Sequence, residues 1–151
     1  MAEFHTTRPS EDQRLLKESL DLVAPAAGEL VAAFYDRLFT EHPEVRPMFP
    51  PILELQHERL LKAIIALVTH YDHPRALLPG LAAMGRRHER NGVGVEHYAA
   101  VGAVLIGTLR SFAGAAWTPA HQGAWVRAYT FAAGSMMQAG ALGDEEERLA
   151  A

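Results

Sequence analysis

Apolar residues recur along this chain at spacings of three and four, and no stretch shows convincing period-two alternation. Leu15, Leu16, Leu20 and Val23 form a stripe behind Ser10. Ser10 and Gln13 have the spacing of a capping box, and Glu11 and Asp12 suit the positive end of a helix. Pro25 breaks or restarts that helix. Leu30, Val31, Phe34, Leu38 and Phe39 give the inward face of a second helix. The segment from His42 to Pro51 holds four prolines in ten residues. It excludes a long regular helix but admits one tight turn, which presents Phe49 from a stiff corner. A long helix follows from about Ile52 to Val68, with Ile52, Leu60, Ala63, Ile64 and Leu67 on its apolar side. Leu77, Leu81 and Met84 mark a short helix that stops near Gly92, and Tyr98, Val101, Leu105, Leu109 and Phe112 mark another. Thr118 and Pro119 pair a cap with a first helical position, opening a last helix through Trp125, Tyr129, Ala132, Ala133 and Met136. The acidic run Asp144 to Glu147 reads as a solvated, fraying end. The class is all-α, with about six to eight helices.

A length of 151 residues suits one domain. It is expected over 10–140, with an N-terminal extension at 1–9 and an acidic C-terminal tail at 141–151. Fourteen Lys and Arg against 18 Asp and Glu leave a net charge of −4, a poor match for a nucleic-acid backbone. With no cysteine, disulfide scaffolds, zinc–thiolate sites and iron–sulfur clusters are excluded. No apolar run approaches the ~20 residues of a membrane span, and no basic-then-apolar leader opens the chain, so a cytoplasmic protein is expected. Phosphate loops, nucleophile elbows and paired zinc histidines are absent from the sequence.

His88 extends the stripe of Leu77, Leu81 and Met84, so its imidazole points inward while Arg86, Arg87, Glu89 and Arg90 take other faces. It is either a core histidine bonded to a backbone carbonyl or a single axial metal ligand. Gln56 lies on the apolar side of the long helix four residues before Leu60, where its amide needs a partner. It either reaches solvent at the stripe's edge or donates to a bound ligand. His57 lies about 100° further round and is expected to be exposed. Tyr35, Tyr98 and Tyr129 sit on apolar stripes, either as packing groups or as hydrogen-bonding phenols. Met136 and Met137 read as core filling, and His70 with His73 as a weak metal pair.

Together these residues resemble the globins of the flavohaemoglobin type. Phe34-Tyr35-Asp36-Arg37-Leu38-Phe39 and His42-Pro43-Glu44-Val45-Arg46-Pro47-Met48-Phe49 carry the likeness. So do Gly85-Arg86-Arg87-His88, Gly92-Val93, Glu96 to Gly102, and Trp125 to Tyr129. The resemblance spans about 10–140 and implies a single-domain haemoglobin, with helices packed three over three around haem b. It makes His88 the proximal iron ligand and Phe49 the ring wedged against the porphyrin. Tyr35 and Gln56 become distal donors, with Leu60 as the apolar wall over the iron. Met84, Val93, Val101, Leu105 and Tyr129 line the haem, Tyr98 lies on the proximal side, and Arg87 reaches a propionate. Relatives have about three more residues between the Phe49 and Gln56 positions, so the distal register could also fall on His57 or Arg59. The family's proximal glutamate, eleven residues after the tyrosine position, is Gly140 here, and Asp144 is the nearest acid downstream. The implied function is reversible binding of O₂, and of other diatomics such as NO and CO, at ferrous haem for oxygen transport or storage. Nitric oxide dioxygenation, an enzymatic detoxification that needs a separate reductase, is the alternative. A haem-based gas sensor is the third reading, and an all-α protein without cofactor the fourth. The expected partners are small gases and that reductase, not nucleic acid, in a monomer or homodimer.

Overall fold

The computed structural model describes residues 8–150, without the side chains of 144–147. Among the described residues six helices follow one another: α1 (Glu11–Val23), α2 (Ala27–Glu41), α3 (Glu54–Thr69), α4 (Pro74–Arg90), α5 (Val95–Ala113) and α6 (Pro119–Ala150). Tight 3₁₀ turns at Ala24–Ala26, Pro43–Met48 and Gly114–Ala116 redirect the chain, and there is no strand among the described residues. The Pro-rich segment forms its expected turn, and α6 opens at Pro119.

Several local expectations change. The Ser10 hydroxyl accepts from the Gln13 N–H at 3.0 Å, but the Gln13 side chain does not return the bond. Its amide donates to the Val68 carbonyl and its oxygen accepts the Asp72 N–H at 3.1 Å. Half the capping box is thus spent on tying the start of α1 to the end of α3. Ile52 is 76% exposed and precedes α3, because the Pro50–Pro51 corner delays the helix to Glu54. The short helix expected around Leu81 runs for 17 residues. α6 continues past Gly140 without a break, so the region after 140 is helical backbone up to Ala150.

Trp125, Phe34, Leu16, Leu38 and Leu109 are the largest fully buried apolar side chains. The Trp125 indole N–H donates to the Ser19 hydroxyl at 2.8 Å, joining α6 to α1 inside the core. α4 packs chiefly on α6 and has no comparable contact with α3 or α5. At Gly85 the approach is so close that a Cβ would lie 2.1 Å from the Met136 carbonyl oxygen. The apolar core is divided accordingly. One cluster joins α1, α2, α3, α5 and α6. A second gathers Leu81, Met84, Val93, Tyr98, Ala133, Met136 and Met137, and Tyr129 packs against both. Residues 95–116, contrary to the expectation from sequence, are apolar and long enough to cross a membrane by composition; about a third of that stretch is buried in the fold.

Candidate functional site

The second cluster is built around His88, in the last turn of α4. Its Nδ1 lies 2.6 Å from the Met84 carbonyl oxygen, one turn back. A carbonyl can only accept, so Nδ1 carries the proton and Nε2 keeps its lone pair. Burial holds the imidazole pKa below its ordinary 6.5, and the Arg87 charge adds to the effect against the Met84 bond. The ring is therefore neutral, as a metal ligand requires. It stacks on Tyr98, with centroids 5.8 Å apart. The Tyr129 hydroxyl donates to the Tyr98 carbonyl at 2.5 Å, and burial raises the pKa of both phenols. The Tyr129 ring packs this closely on α5 only because residue 102 is glycine: a Cβ there would sit 2.4 Å from the ring. The Glu89 charge further raises Tyr98. Gly140 is buried against Gly85 and Glu89, so no carboxylate reaches His88 from that position. The Asp144 side chain lies outside the described residues.

The opposite group hangs on α2 and the Pro-rich corner. Tyr35 is buried within an aromatic nest, edge-on to Phe34 at 4.9 Å and to Phe49 at 5.7 Å. Phe39 lies 5.3 Å from Phe49, and the Arg46 guanidinium covers Phe39 at 4.9 Å. Arg46 also donates to the carbonyls of Pro50 and Pro51 at 3.0 and 3.1 Å, holding the corner that presents Phe49. Burial pushes the Tyr35 hydroxyl up to about 12, opposed by a hydrogen bond with the Gln56 amide from the first turn of α3. Leu60, one turn further, is half-buried against the main cluster, as is Val101, and Leu105 is fully buried there.

His57 is the correction. It is not exposed: its ring stacks on Tyr35 at 5.0 Å and 15°, and its Nε2 is buried without a hydrogen-bond partner. The line from α3 to Tyr35 passes between Gln56 and His57, so residues 100° apart both face it. The periodicity of α3 could not show this, because the corner sets the helix's rotation. Arg46 was missed for a related reason, since its partners are backbone carbonyls. Arg59 and Arg87 are exposed, as are His70 and His73.

The site residues thus stand in two apolar clusters, Tyr35, Phe49 and Leu60 in one and Met84, Val93 and Tyr98 beside His88 in the other, and α4 has no comparable contact with α3. No group of three or more His, Asp or Glu able to hold a metal occurs among the described residues. A lone neutral imidazole in an apolar slot fits a metal whose other ligands come from a planar macrocycle. A profile of the family described as Globin matches residues 32–136. The chain belongs to the globin family. The family's cofactor is haem, and the donor set described above suits it.

Curated relatives agree with this. The flavohemoprotein of Rhodopirellula baltica is 35% identical over 123 residues, covering 80% of this chain and 30% of that protein. The flavohemoprotein of Vibrio cholerae is 31% identical over 130 residues, covering 82% and 32%. The chain therefore spans about a third of the length of the curated relatives it matches. Among solved structures, the engineered carbene transferase RmaNOD of Rhodothermus marinus, a candidate nitric oxide dioxygenase, superposes with a TM-score of 0.81 at 27% identity, covering 96% of this globin and all of that chain. A bacterial globin from Campylobacter jejuni gives 0.78 at 23%, covering 89% and 98%, and shows the same fold.

Proposed function

We propose that this globin reversibly binds a diatomic gas, O₂ foremost, at ferrous haem held through His88. The observation that carries the reading is the His88–Met84 bond, which commits Nδ1 and leaves Nε2 as a neutral donor. Haem held by His88 would supply the ferrous iron that takes up the gas. The rest is the work of the chain. Met84, Val93 and Tyr98 provide apolar surface beside His88, with Val101, Leu105 and Tyr129 beyond them, and Arg87 is the cation available to a propionate. Phe49, presented by the Arg46-braced corner, would be the ring against the macrocycle. Tyr35 and Gln56 stand as hydrogen-bond donors to a polar gas, and Leu60 excludes water. Tyr35 is held as a phenol, never a phenolate near neutral pH, and so donates. The test is the absorption spectrum of the reduced and CO-bound protein beside His88→Ala. Gas-dependent Soret shifts in the wild type, lost in the variant, are expected; an unchanged variant refutes the assignment.

A second reading, conversion of NO and O₂ to nitrate with a separate reductase, is favoured by the likeness to RmaNOD and to proteins named flavohemoprotein. The lack of a carboxylate at Gly140 weighs against it, because a carboxylate partner makes a ligating imidazole more electron-donating. Sustained NO consumption with NADH and an added reductase would establish it, and a single turnover would exclude it.

A further inference from the structure

The two faces of α5 have different environments. Tyr98, Leu105, Thr108 and Leu109 are buried, whereas Val95, Ala99, Ala103, Gly107 and Arg110 are exposed. This is the helix whose composition would suit a membrane, yet only about a third of it is covered. Between its bare face and α6 runs a groove of about 520 Å³, with Val126, Thr130 and Met137 on the far wall. Val95 is 70% exposed and Val126 45%. The walls of the groove are mostly apolar. Arg110 is the one charged residue lining it, and its guanidinium has no ionic or hydrogen-bonding partner among the described residues.

What covers the face is indicated by its register. A self-association interface must be complementary to itself about a two-fold axis. Glu96 is 76% exposed at the other end of α5, its carboxylate 3.7 Å from the His97 imidazole. Glu96 and Arg110 each lie seven residues from Ala103, about 10 Å along the helix. Place a two-fold axis at Ala103, with the two α5 helices antiparallel. Ala103 then meets its own copy, Ala99 meets Gly107 of the second copy, and Glu96 meets Arg110. Small residues oppose small ones, so the helices can approach to about 8 Å, and both solitary arginines gain a carboxylate. A parallel pairing would set Arg110 beside Arg110.

We propose that two copies of this globin pair through the exposed face of α5 and its groove with α6, about an axis at Ala103. The proposal does not depend on which gas is bound. Sedimentation velocity of the full chain across concentration should show a reversible dimer. Arg110→Glu or Glu96→Arg alone should weaken it at least tenfold, and the double charge swap should restore it. All three variants should keep wild-type helicity and haem uptake, since both side chains are on the surface. The sequence has no cysteine, so Ala103→Cys creates a single thiol. Under copper–phenanthroline it should form an intermolecular disulfide, while Ala32→Cys, exposed on α2, should not. A monomer at every concentration would overturn the proposal. So would a dimer indifferent to the charge swaps, or one cross-linked no faster at 103 than at 32. A monomer that instead takes up a fluorescent fatty acid or binds anionic vesicles would assign the face to an amphiphile, and would equally refute the pairing.

Discussion

Tyr35→Phe tests the distal side most directly, because it removes one oxygen and leaves the ring. The ring's contacts with Phe34, Phe49 and His57 persist, so the aromatic nest keeps its shape. What disappears is a buried hydroxyl beside the Gln56 amide. Bound O₂ draws negative charge from ferrous haem, so its hydrogen bond belongs to the charge-assisted class, worth about 1.5–3 kcal/mol. At about 1.4 kcal/mol per decade, O₂ dissociation should quicken roughly 10- to 150-fold. Bound CO carries little charge, so its dissociation should change by less than about threefold on the same scale. The assay is stopped-flow displacement of O₂ by CO, and of CO by NO, with the Soret band as a check on the haem. An unchanged O₂ off-rate would remove Tyr35 from ligand contact. Equal acceleration of both gases would assign it to shaping the pocket instead.

Other expectations follow from the same contacts. Ser19→Ala strands the buried Trp125 indole N–H and should cost about 1–3 kcal/mol in urea unfolding; a change below half a kcal/mol on this scale would mean the indole finds another acceptor. Gly85→Ala puts a Cβ 2.1 Å from the Met136 carbonyl, and overpacking of this kind costs about 1–3 kcal/mol or more, read as a lower Tm with weaker haem retention. In the haem-free protein His88 titrates below 6.5 when folded and near 6.5 when unfolded, so the unfolded chain gains the proton first as pH falls. The wild type should therefore lose stability relative to His88→Phe as pH drops below 6.5, levelling off below the lowered folded value. A pH-independent difference in urea midpoints would contradict the burial of this ring.

Much of the fold was legible because helical periodicity and proline punctuation report local geometry. The stripe of Leu77, Leu81 and Met84 located His88, and the proline cluster located the corner at Phe49. The Tyr35–Gln56 pair was also within reach, since apolar neighbours on each helix fix which way both side chains point. Rotation of α3 about its axis was not, because the Arg46-braced corner sets it, through bonds to carbonyls that leave no pattern in sequence. His57 therefore looked solvated and instead stacks on Tyr35. The Gln13 side chain shows a similar limit: its spacing matched a local cap, and a tertiary partner on α3 took it.

Gly140 joins the packing of α4 to the chemistry of His88. A Cβ on residue 140 would lie 3.0 Å from the Gly85 carbonyl oxygen and 3.1 Å from the Glu89 Cβ. A glutamate there requires α4 to give by a few tenths of an ångström against α6. α4 leans chiefly on α6, so the displacement would carry His88 with it. The close helix approach and the missing carboxylate are thus one feature, and a backbone carbonyl is left as the hydrogen-bond partner of the imidazole. Gly140→Glu should accordingly lower Tm and speed haem transfer to apomyoglobin, without strengthening the iron–histidine bond. Resonance Raman of the ferrous protein reads that bond. A higher iron–histidine frequency with unchanged Tm would show that the helices yield easily, and that packing is not what keeps a carboxylate from this histidine.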